Sequence, residues 1–556
     1  AWVEYGDEVL IMASELVGKV AEECGIIFGK VLGTTKGRDM EFMECEHPFP
    51  EYNHRKSLVC LGDYVDLETG TGCVHTAPGH GDVDYLTGLK YHLDILCPVD
   101  EKGCYTDEAG EAFKGHFVFD SNGLVIKHLA ETGHLLGKKS IHHQYAHCWR
   151  CKNPIIYRAT EQWFASVDGF REEALNAIAN HVQWIPSWGE ARIHNMVADR
   201  HDWCISRQRT WGVPIPIIYC KDCKKPIVND TTIHDIAALF RKEGADAWWT
   251  KDLSEFLSPE VQCECGCKEF TKEYDIMDVW FDSGVSHSAV MEQYDCLQWP
   301  ADLYLEGADQ YRGWFQSSLL TSVVYKGSAP YKAVCTHGWV VDGEGRKMSK
   351  SLGNGIDPLK VIDEYGADAL RFMLATGNAP GNDMRYSDEK VTASRNFANK
   401  LWNASRFVQM NLPEDFEPGM PAEELLDMSD KWVLSELART AAEVTANLDK
   451  YELGLAAEKV ENFIWDIYCD WYIEICKSRL NGEDAQQADT ARKVLVWVLD
   501  KALKLLHPFM PFITEEIYQA LPGSAETIMT QEWPDAGKMT AWPQECADFE
   551  VLMDYI

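Results

Sequence analysis

The chain has 556 residues, with 52 Lys and Arg against 88 Asp and Glu, for a formal net charge of −36. That length sets an expectation of three or four domains of ordinary soluble globular composition. The acidic balance disfavours a general nucleic-acid coat yet leaves room for an RNA enzyme, because binding depends on local basic patches, and no apolar run reaches the roughly eighteen residues of a membrane span.

Residues 1 to about 155 read as α+β, with short strand-like runs and many Gly, Asp and His turns. Here Gly70 to Gly81 forms a Gly-rich loop carrying His75 and His80, followed by Asp82 and Asp84. Such a loop is either a hydrolytic pocket, in which a carboxylate holds an amine while His or Thr positions a water, or a turn with surface histidines. Cys148-x-x-Cys151 is half of a metal pattern, and equally a pair of reduced surface thiols. A helix is predicted over Phe170 to Ala179, ending by Ile185-Pro186, and from His194 to Pro216 the chain returns to strand and loop. Within that return, Trp203 to Gly212 mixes aromatic and guanidinium groups, which suits either RNA contact or a strand end.

A cysteine-bearing insert spans about Tyr219 to Phe270. Nineteen cysteines, several in close pairs, favour metal ligation in a reducing compartment, by default the cytosol. Cys220-x-x-Cys223 followed by Cys263-x-Cys265-Gly-Cys267 fits a tetrahedral zinc site of four thiolates. Cys265 belongs to either pairing, with Cys263 favoured over Cys267 as its companion; redox or chance clustering is the other reading.

Asp278 to Ala301 and Tyr304 to Gly327 alternate strand and helix patterns, the rhythm of a parallel sheet. Asp278 to Gly284 and Glu306 to Phe315 each set acids beside aromatics, a combination that holds an ammonium group or ribose, or is ordinary core. Trp339 to Asn354 is a short apolar strand entering a loop with glycines at 343 and 345 and lysines at 347 and 350. Glycine lets the backbone turn and approach a ligand, and lysines suit a polyphosphate; a solvated basic loop has the same composition. After Asp388 the chain becomes helical. Val433, Leu437, Ala441, Val444 and Leu448 follow a Ser429-Asp430 start signal, and Ile464, Ile467, Trp471 and Ile475 repeat the spacing; both stripes are expected to be bundle core. Pro413 to Asp430 reads as an acidic linker.

The string from Gly338 to Ser351, with Lys347-Met-Ser-Lys350-Ser351, resembles the nucleotide-binding loop of class I aminoacyl-tRNA synthetases. Cys148-Trp-Arg-Cys151, Arg158 to Phe164, Trp184 to Gly189 and Asp202 to Pro216 resemble the isoleucyl enzymes in particular, with the valyl and leucyl enzymes as close relatives. From Gly355 onward, Leu374 to Arg385, Ser394 to Lys400, Cys469 to Tyr472 and Leu506 to Ile517 look like the valyl enzyme. A natural recombinant, a fusion or an assembly join would all read this way.

The resemblance implies an α/β multidomain protein. A partial α+β editing domain covers 1–157, and the second half of a split Rossmann catalytic domain covers 158–387 with its zinc insert at 219–270. An all-α anticodon-binding bundle covers 388–556. It implies that Glu306, Asp309 and Gln310 meet the amino acid or its adenylate and that Trp280 and Trp314 wall the amino-acid pocket. His337, Gly338, Lys347, Ser349 and Lys350 meet ATP, with Lys347 and Lys350 catalytic, and His75 and Asp84 serve editing. The implied activity is isoleucine–tRNA ligase with ATP, Mg²⁺ and Zn²⁺, acting on isoleucine and tRNA as a cytoplasmic monomer away from membranes. The alternatives are a valine–tRNA ligase, a hybrid, or an inactive tRNA-binding fragment. The family's His-Ile-Gly-His-type motif and the Thr-rich editing strip are not in the sequence, so the chain reads as a fragment expected to be nearly inactive alone in amino-acid activation.

Overall fold

Residues 1–49, 56–148, 151–349 and 352–555 are described in the structure, a computed structural model. The chain divides between Gln162 and Trp163 into two units. In the first, strands β1 (Trp2–Tyr5), β2 (Glu8–Ile11) and β3 (Val31–Gly33) pair antiparallel in the order β2-β1-β3. Helix α1 (Val17–Cys24) closes a small core of Val3, Met12, Leu16 and Val20. The Gly-rich loop leads into α2 (Asp82–Tyr91), whose first turn carries Asp82 and Asp84, where negative charge complements the helix dipole.

The second unit begins with α3 (Arg171–Asn180), close to the predicted helix, then β4 (Gln183–Ile185) and α4 (Trp188–Ala198). Helix α4 runs past the predicted return to strand at His194, because Ile193 and Val197 lie one turn apart and both are buried. The insert is an antiparallel sheet of β5 (Ile218–Cys220), β6 (Pro226–Ile227) and β7 (Phe270–Lys272), ordered β6-β5-β7.

Helix α5 (Val279–Gly284) precedes β8 (Tyr304–Gly307), α6 (Trp314–Lys326) and β9 (Ala333–His337). Strands β8, β9 and β4 form a parallel sheet in that order, with Glu306 opposite Thr336 and Gly307 opposite His337. Parallel neighbours need a crossover, and α6 supplies it. Its Phe315, Leu319, Leu320 and Val323 are buried, and Gly327 ends it in the left-handed conformation at φ 69°.

Strand β10 (Val340–Val341) is followed by α7 (Pro358–Tyr365), α8 (Ala367–Ala375) and β11 (Met384–Arg385). Asp357 caps α7 and Pro358 opens it. β10 and β11 pair parallel, Val340 opposite Met384, so sequence on the two sides of residue 354 is woven into one layer.

A helical bundle follows: α9 (Asp388–Met410), α10 (Met428–Leu448), α11 (Leu453–Asn462), α12 (Ile473–Leu480), α13 (Ala485–Leu506), α14 (Pro511–Gln519) and α15 (Pro543–Tyr555). Val433, Leu437, Ala441 and Val444 are fully buried as their spacing predicts, while Leu448, at the end of the helix, is only partly buried. The start of α10 differs from prediction. Asp427 is the cap, and Asp430 returns a bond to the Asp427 N–H. Asp430 is buried because Arg479 donates to it at 2.7 and 2.9 Å and Tyr472 at 2.6 Å. The second predicted stripe is displaced. Phe463–Tyr472 is a π-helix, whose wider turn carries the inward face through Ile464, Tyr468, Tyr472 and Cys476, while Ile467, Trp471 and Ile475 stay only partly buried.

Candidate active site

The C-terminal ends of β8 and β9 bring together residues from separate parts of the sequence. Glu306 lies on β8 with a carboxylate oxygen accepting the Gly307 N–H at 2.9 Å, and His337 Nε2 on β9 stands 3.9 Å from the same carboxylate. Both side chains are about half exposed. Carboxyl ends of parallel strands are where open α/β sheets bind ligands. Asp309 is exposed in the short helical turn Ala308–Arg312. Gln310 Oε1 accepts the main-chain N–H of Trp314 at 2.9 Å, and its amide nitrogen donates to Asp309 at 3.3 Å. Gln310 therefore shapes the turn into α6.

Of the two tryptophans, Trp280 is 42% exposed and Trp314 is half-buried. A Cβ at Gly313 would fall 2.9 Å from the Trp280 ring, so only glycine lets Trp280 lie there. Asp278, read from sequence as a possible ligand group, is already committed. It caps α5 through the Trp280 N–H and accepts from Trp203 Nε1 at 3.0 Å and Arg207 at 2.8 Å. Its neighbour Asp282 is pushed up to about 6 by burial and then by the Asp278 charge.

Gly338 follows β9 in a crowded position: a Cβ there would lie 2.0 Å from the Asn382 carbonyl oxygen. The partner segment is fixed, since the Gly381 N–H donates to Thr336 O at 2.6 Å and Asp383 accepts the Trp339 N–H at 2.7 Å. The following loop is organised by two residues that the sequence reading did not single out. Asp342 accepts from the Asn354 amide at 2.9 Å, from the Arg346 main chain at 2.8 Å and from its Nε at 2.9 Å. Those bonds, the Asn354 amide foremost, hold its carboxyl well below the usual range. Asn354 also accepts the Ser349 N–H at 2.9 Å. An Asp four residues before Arg346 in a Gly-rich loop, and an Asn closing it, was the available signal. Of the loop glycines Gly345, at φ 82° with Arg385 beside it, and Gly353, at φ 65°, need their freedom; Gly343 has open space around it. Lys347 lies over the Trp339 ring, 3.7 Å from its centroid. Lys350 lies outside the described residues.

In the insert, the sulfurs of Cys220, Cys223, Cys263 and Cys265 all lie within 4.8 Å of one another. A zinc–thiolate length of about 2.3 Å gives a tetrahedron with sulfurs roughly 3.8 Å apart. The Cys220–Cys265 and Cys223–Cys263 separations are 3.5 and 3.4 Å, so the donor set fits zinc. Main-chain N–H groups of Cys223 and then Asp222 bring the Cys220 thiol down to about 6. The Cys265 N–H favours the Cys263 thiolate too, but burial and neighbouring thiols hold Cys263 up to about 12. Four thiols this close do not ionise together without a cation. Cys267 turns away, its sulfur accepting the Glu269 N–H at 3.3 Å. Among the described residues Cys148 and Cys151 join no such group. Lys152 N–H bonds Cys148 O at 2.8 Å, as Lys224 N–H bonds Cys220 O at 3.1 Å, and Lys152 and Lys224 both have positive φ.

In the first unit, His75 lines a cavity of about 850 Å³ with Thr76, Ala77, His80 and Lys56. Asp84 sits on α2 beneath that loop, one oxygen accepting the Ala77 N–H at 3.1 Å. Asp84 thus shapes the loop that His75 stands on.

A family model described as tRNA synthetases class I (I, L, M and V) matches residues 8–387, and one described as anticodon-binding domain of tRNA ligase matches 430–556. The chain belongs to the class I tRNA synthetases. It is 48% identical over 560 residues to the isoleucine–tRNA ligase of Caldanaerobacter subterraneus subsp. tengcongensis, covering 99% of this chain and 59% of the relative. With that of Moorella thermoacetica it is 48% identical over 553 residues, 98% of this chain and 58% of the relative. The chain thus spans about three-fifths of the length of the curated relatives it matches. These matches run through residue 354 without a change of relative, so they lend the expected switch to a valyl-like part no support. The solved methionyl-tRNA synthetase of Mycobacterium tuberculosis bound by methionyl-adenylate shares the fold. Its TM-score is 0.50 and its identity 20%, over 70% of this chain and 68% of that one. No helix among the described residues is long and apolar enough to cross a membrane.

Proposed function

We propose that this chain carries the adenylate site, zinc insert, anticodon-binding bundle and part of the editing domain of an isoleucine–tRNA ligase. The observation that carries the reading is the cluster at the ends of β8 and β9, where Glu306 and His337 face each other and Gly338 leads into the Lys347 loop. The amino acid is that of the isoleucine–tRNA ligases the chain resembles.

In this reading Glu306, with Asp309 and Gln310 nearby, receives the ammonium group and adenylate, and Trp280 and Trp314 line the pocket for the aliphatic side chain. His337 and Gly338 meet adenosine. Lys347, Ser349 and Lys350 bind the polyphosphate of ATP, which enters as its magnesium complex. Lys347 leaves the Trp339 ring to neutralise charge on the phosphates as pyrophosphate departs. Activation joins the isoleucine carboxylate to the α-phosphate and releases pyrophosphate; the acyl group then passes to tRNA held by the bundle. Zinc on Cys220, Cys223, Cys263 and Cys265 holds the insert's loops together and takes no part in the chemistry. His75 and Asp84 belong to the cavity that hydrolyses valyl-tRNA. Such editing is needed because a pocket gains only about 1–3 kcal/mol from one methylene, a figure for which isoleucine–valine selection is itself the standard illustration.

The test is ATP–pyrophosphate exchange by the full-length gene product. Isoleucine should drive exchange strongly and valine weakly. Preference for valine would reassign the amino acid, and exchange with neither would refute the reading.

A further inference from the structure

Trp314 is held on three sides. Its main-chain N–H donates to Gln310 Oε1 at 2.9 Å. Its indole Nε1–H donates to the Ser283 carbonyl at 3.0 Å and lies 3.3 Å from Ser286 Oγ. One ring face lies flat on Tyr304, with centroids 4.1 Å apart and planes 9° from parallel. Tyr304 is buried and braced in turn by Tyr331 at 4.7 Å. Tyr331 is pinned, its hydroxyl donating to the Phe315 carbonyl at 3.0 Å and its ring edge-on to Trp184 at 6.1 Å. The four rings form a continuous series of contacts, stacked between Trp314 and Tyr304, tilted between Tyr304 and Tyr331, and edge-on between Tyr331 and Trp184. Interiors packed this densely yield little, so the indole cannot retreat while Tyr304 stays in place.

We infer that Tyr304 is a specificity-setting positioning residue. As the plate behind Trp314 it fixes the depth of the amino-acid pocket, and with it how well isoleucine's extra methylene is held relative to valine. The inference rests on the reading of Trp280 and Trp314 as the pocket walls. Tyr304 itself touches no substrate; it acts through the indole. Its hydroxyl is not part of the mechanism, since the contact with the indole is made by the ring face.

The experiment compares Tyr304→Phe and Tyr304→Leu in the full-length gene product, by pyrophosphate-exchange kinetics with isoleucine and with valine. Tyr304→Phe keeps the stack and should leave the isoleucine-to-valine ratio of kcat/KM within about twofold. Tyr304→Leu removes the plate, lets the indole settle back and should lower that ratio by roughly tenfold. The loss should lie mainly in the KM for isoleucine, with the KM for ATP unchanged. Equal losses for both amino acids, or a parallel rise in the KM for ATP, would mean a merely structural role and overturn the inference. If Tyr304→Leu fails to fold, Tyr304→Trp decides. Its larger plate should press the indole forward and penalise isoleucine more than valine, and an unchanged ratio overturns the inference. Wild-type protein that activates neither amino acid overturns the functional reading and this inference with it. A wild-type isoleucine preference that the variants leave untouched overturns the inference alone.

Discussion

Gly338→Ala should slow amino-acid activation by about two orders of magnitude. The added methyl would lie 2.0 Å from the Asn382 carbonyl oxygen and 2.2 Å from its carbon. Separations under 3.0 Å are essentially never seen for a real Cβ, so one backbone must move by about 1 Å. Asn382 has little freedom, because Gly381 is bonded to Thr336 at 2.6 Å and Asp383 to the Trp339 N–H at 2.7 Å. The displacement therefore falls on Gly338 itself, next to His337 and at the root of the Lys347 loop. A misplacement of about 1 Å costs on the order of 10²-fold in rate, or roughly 2.7 kcal/mol of barrier. Gly343→Ala is the control: nothing lies within 4 Å of its added methyl, and it should retain most activity. Pyrophosphate exchange with isoleucine by the full-length gene product measures both, with thermal unfolding to confirm folding. Activity of Gly338→Ala within threefold of wild type would refute the reasoning.

Three further outcomes follow from the same geometry. Metal analysis should find one zinc per chain at the insert, retained in Cys267→Ser and lost in Cys263→Ser; the reverse pattern would make Cys267 the fourth ligand. The Asp342 carboxyl is held below its unfolded value, so its contribution to loop order is fully present above about pH 3.9 and is lost as pH falls through the lowered folded value. The difference in thermal unfolding between wild type and Asp342→Asn should hold steady from pH 7 to about 5 and shrink on further acidification; a difference that widens toward acid contradicts this. Competition binding at fixed salt should show the chain preferring isoleucine tRNA over valine tRNA, and the opposite preference would restore the hybrid reading.

What the sequence disclosed follows from the range of the interactions. The cysteine cluster was legible because its four thiols sit in two short turns, 220–223 and 263–265, where spacing nearly fixes geometry. The first bundle stripe was legible because α10 keeps an ordinary helical period over Val433, Leu437, Ala441 and Val444. The second was misread because a π-helix changes that period, and nothing in Phe463 to Tyr472 announces it. The meeting of Glu306 and His337 depends on parallel register across a crossover helix, which spacing does not encode; only the resemblance pointed there. Asp278 illustrates the converse. Its acid-beside-aromatic setting looked like a ligand site, while tertiary partners Trp203 and Arg207 had already claimed the carboxylate.

The central claim is that the ends of β8 and β9, with the loop after Gly338, form the site for an aminoacyl-adenylate. A crystal structure of the chain with a non-hydrolysable isoleucyl-adenylate analogue tests it directly. The ammonium group is expected at Glu306, the adenosine against His337 and Gly338, and the aliphatic side chain between Trp280 and Trp314. An analogue bound elsewhere, or one lying across these residues with its side chain away from both tryptophans, would contradict it.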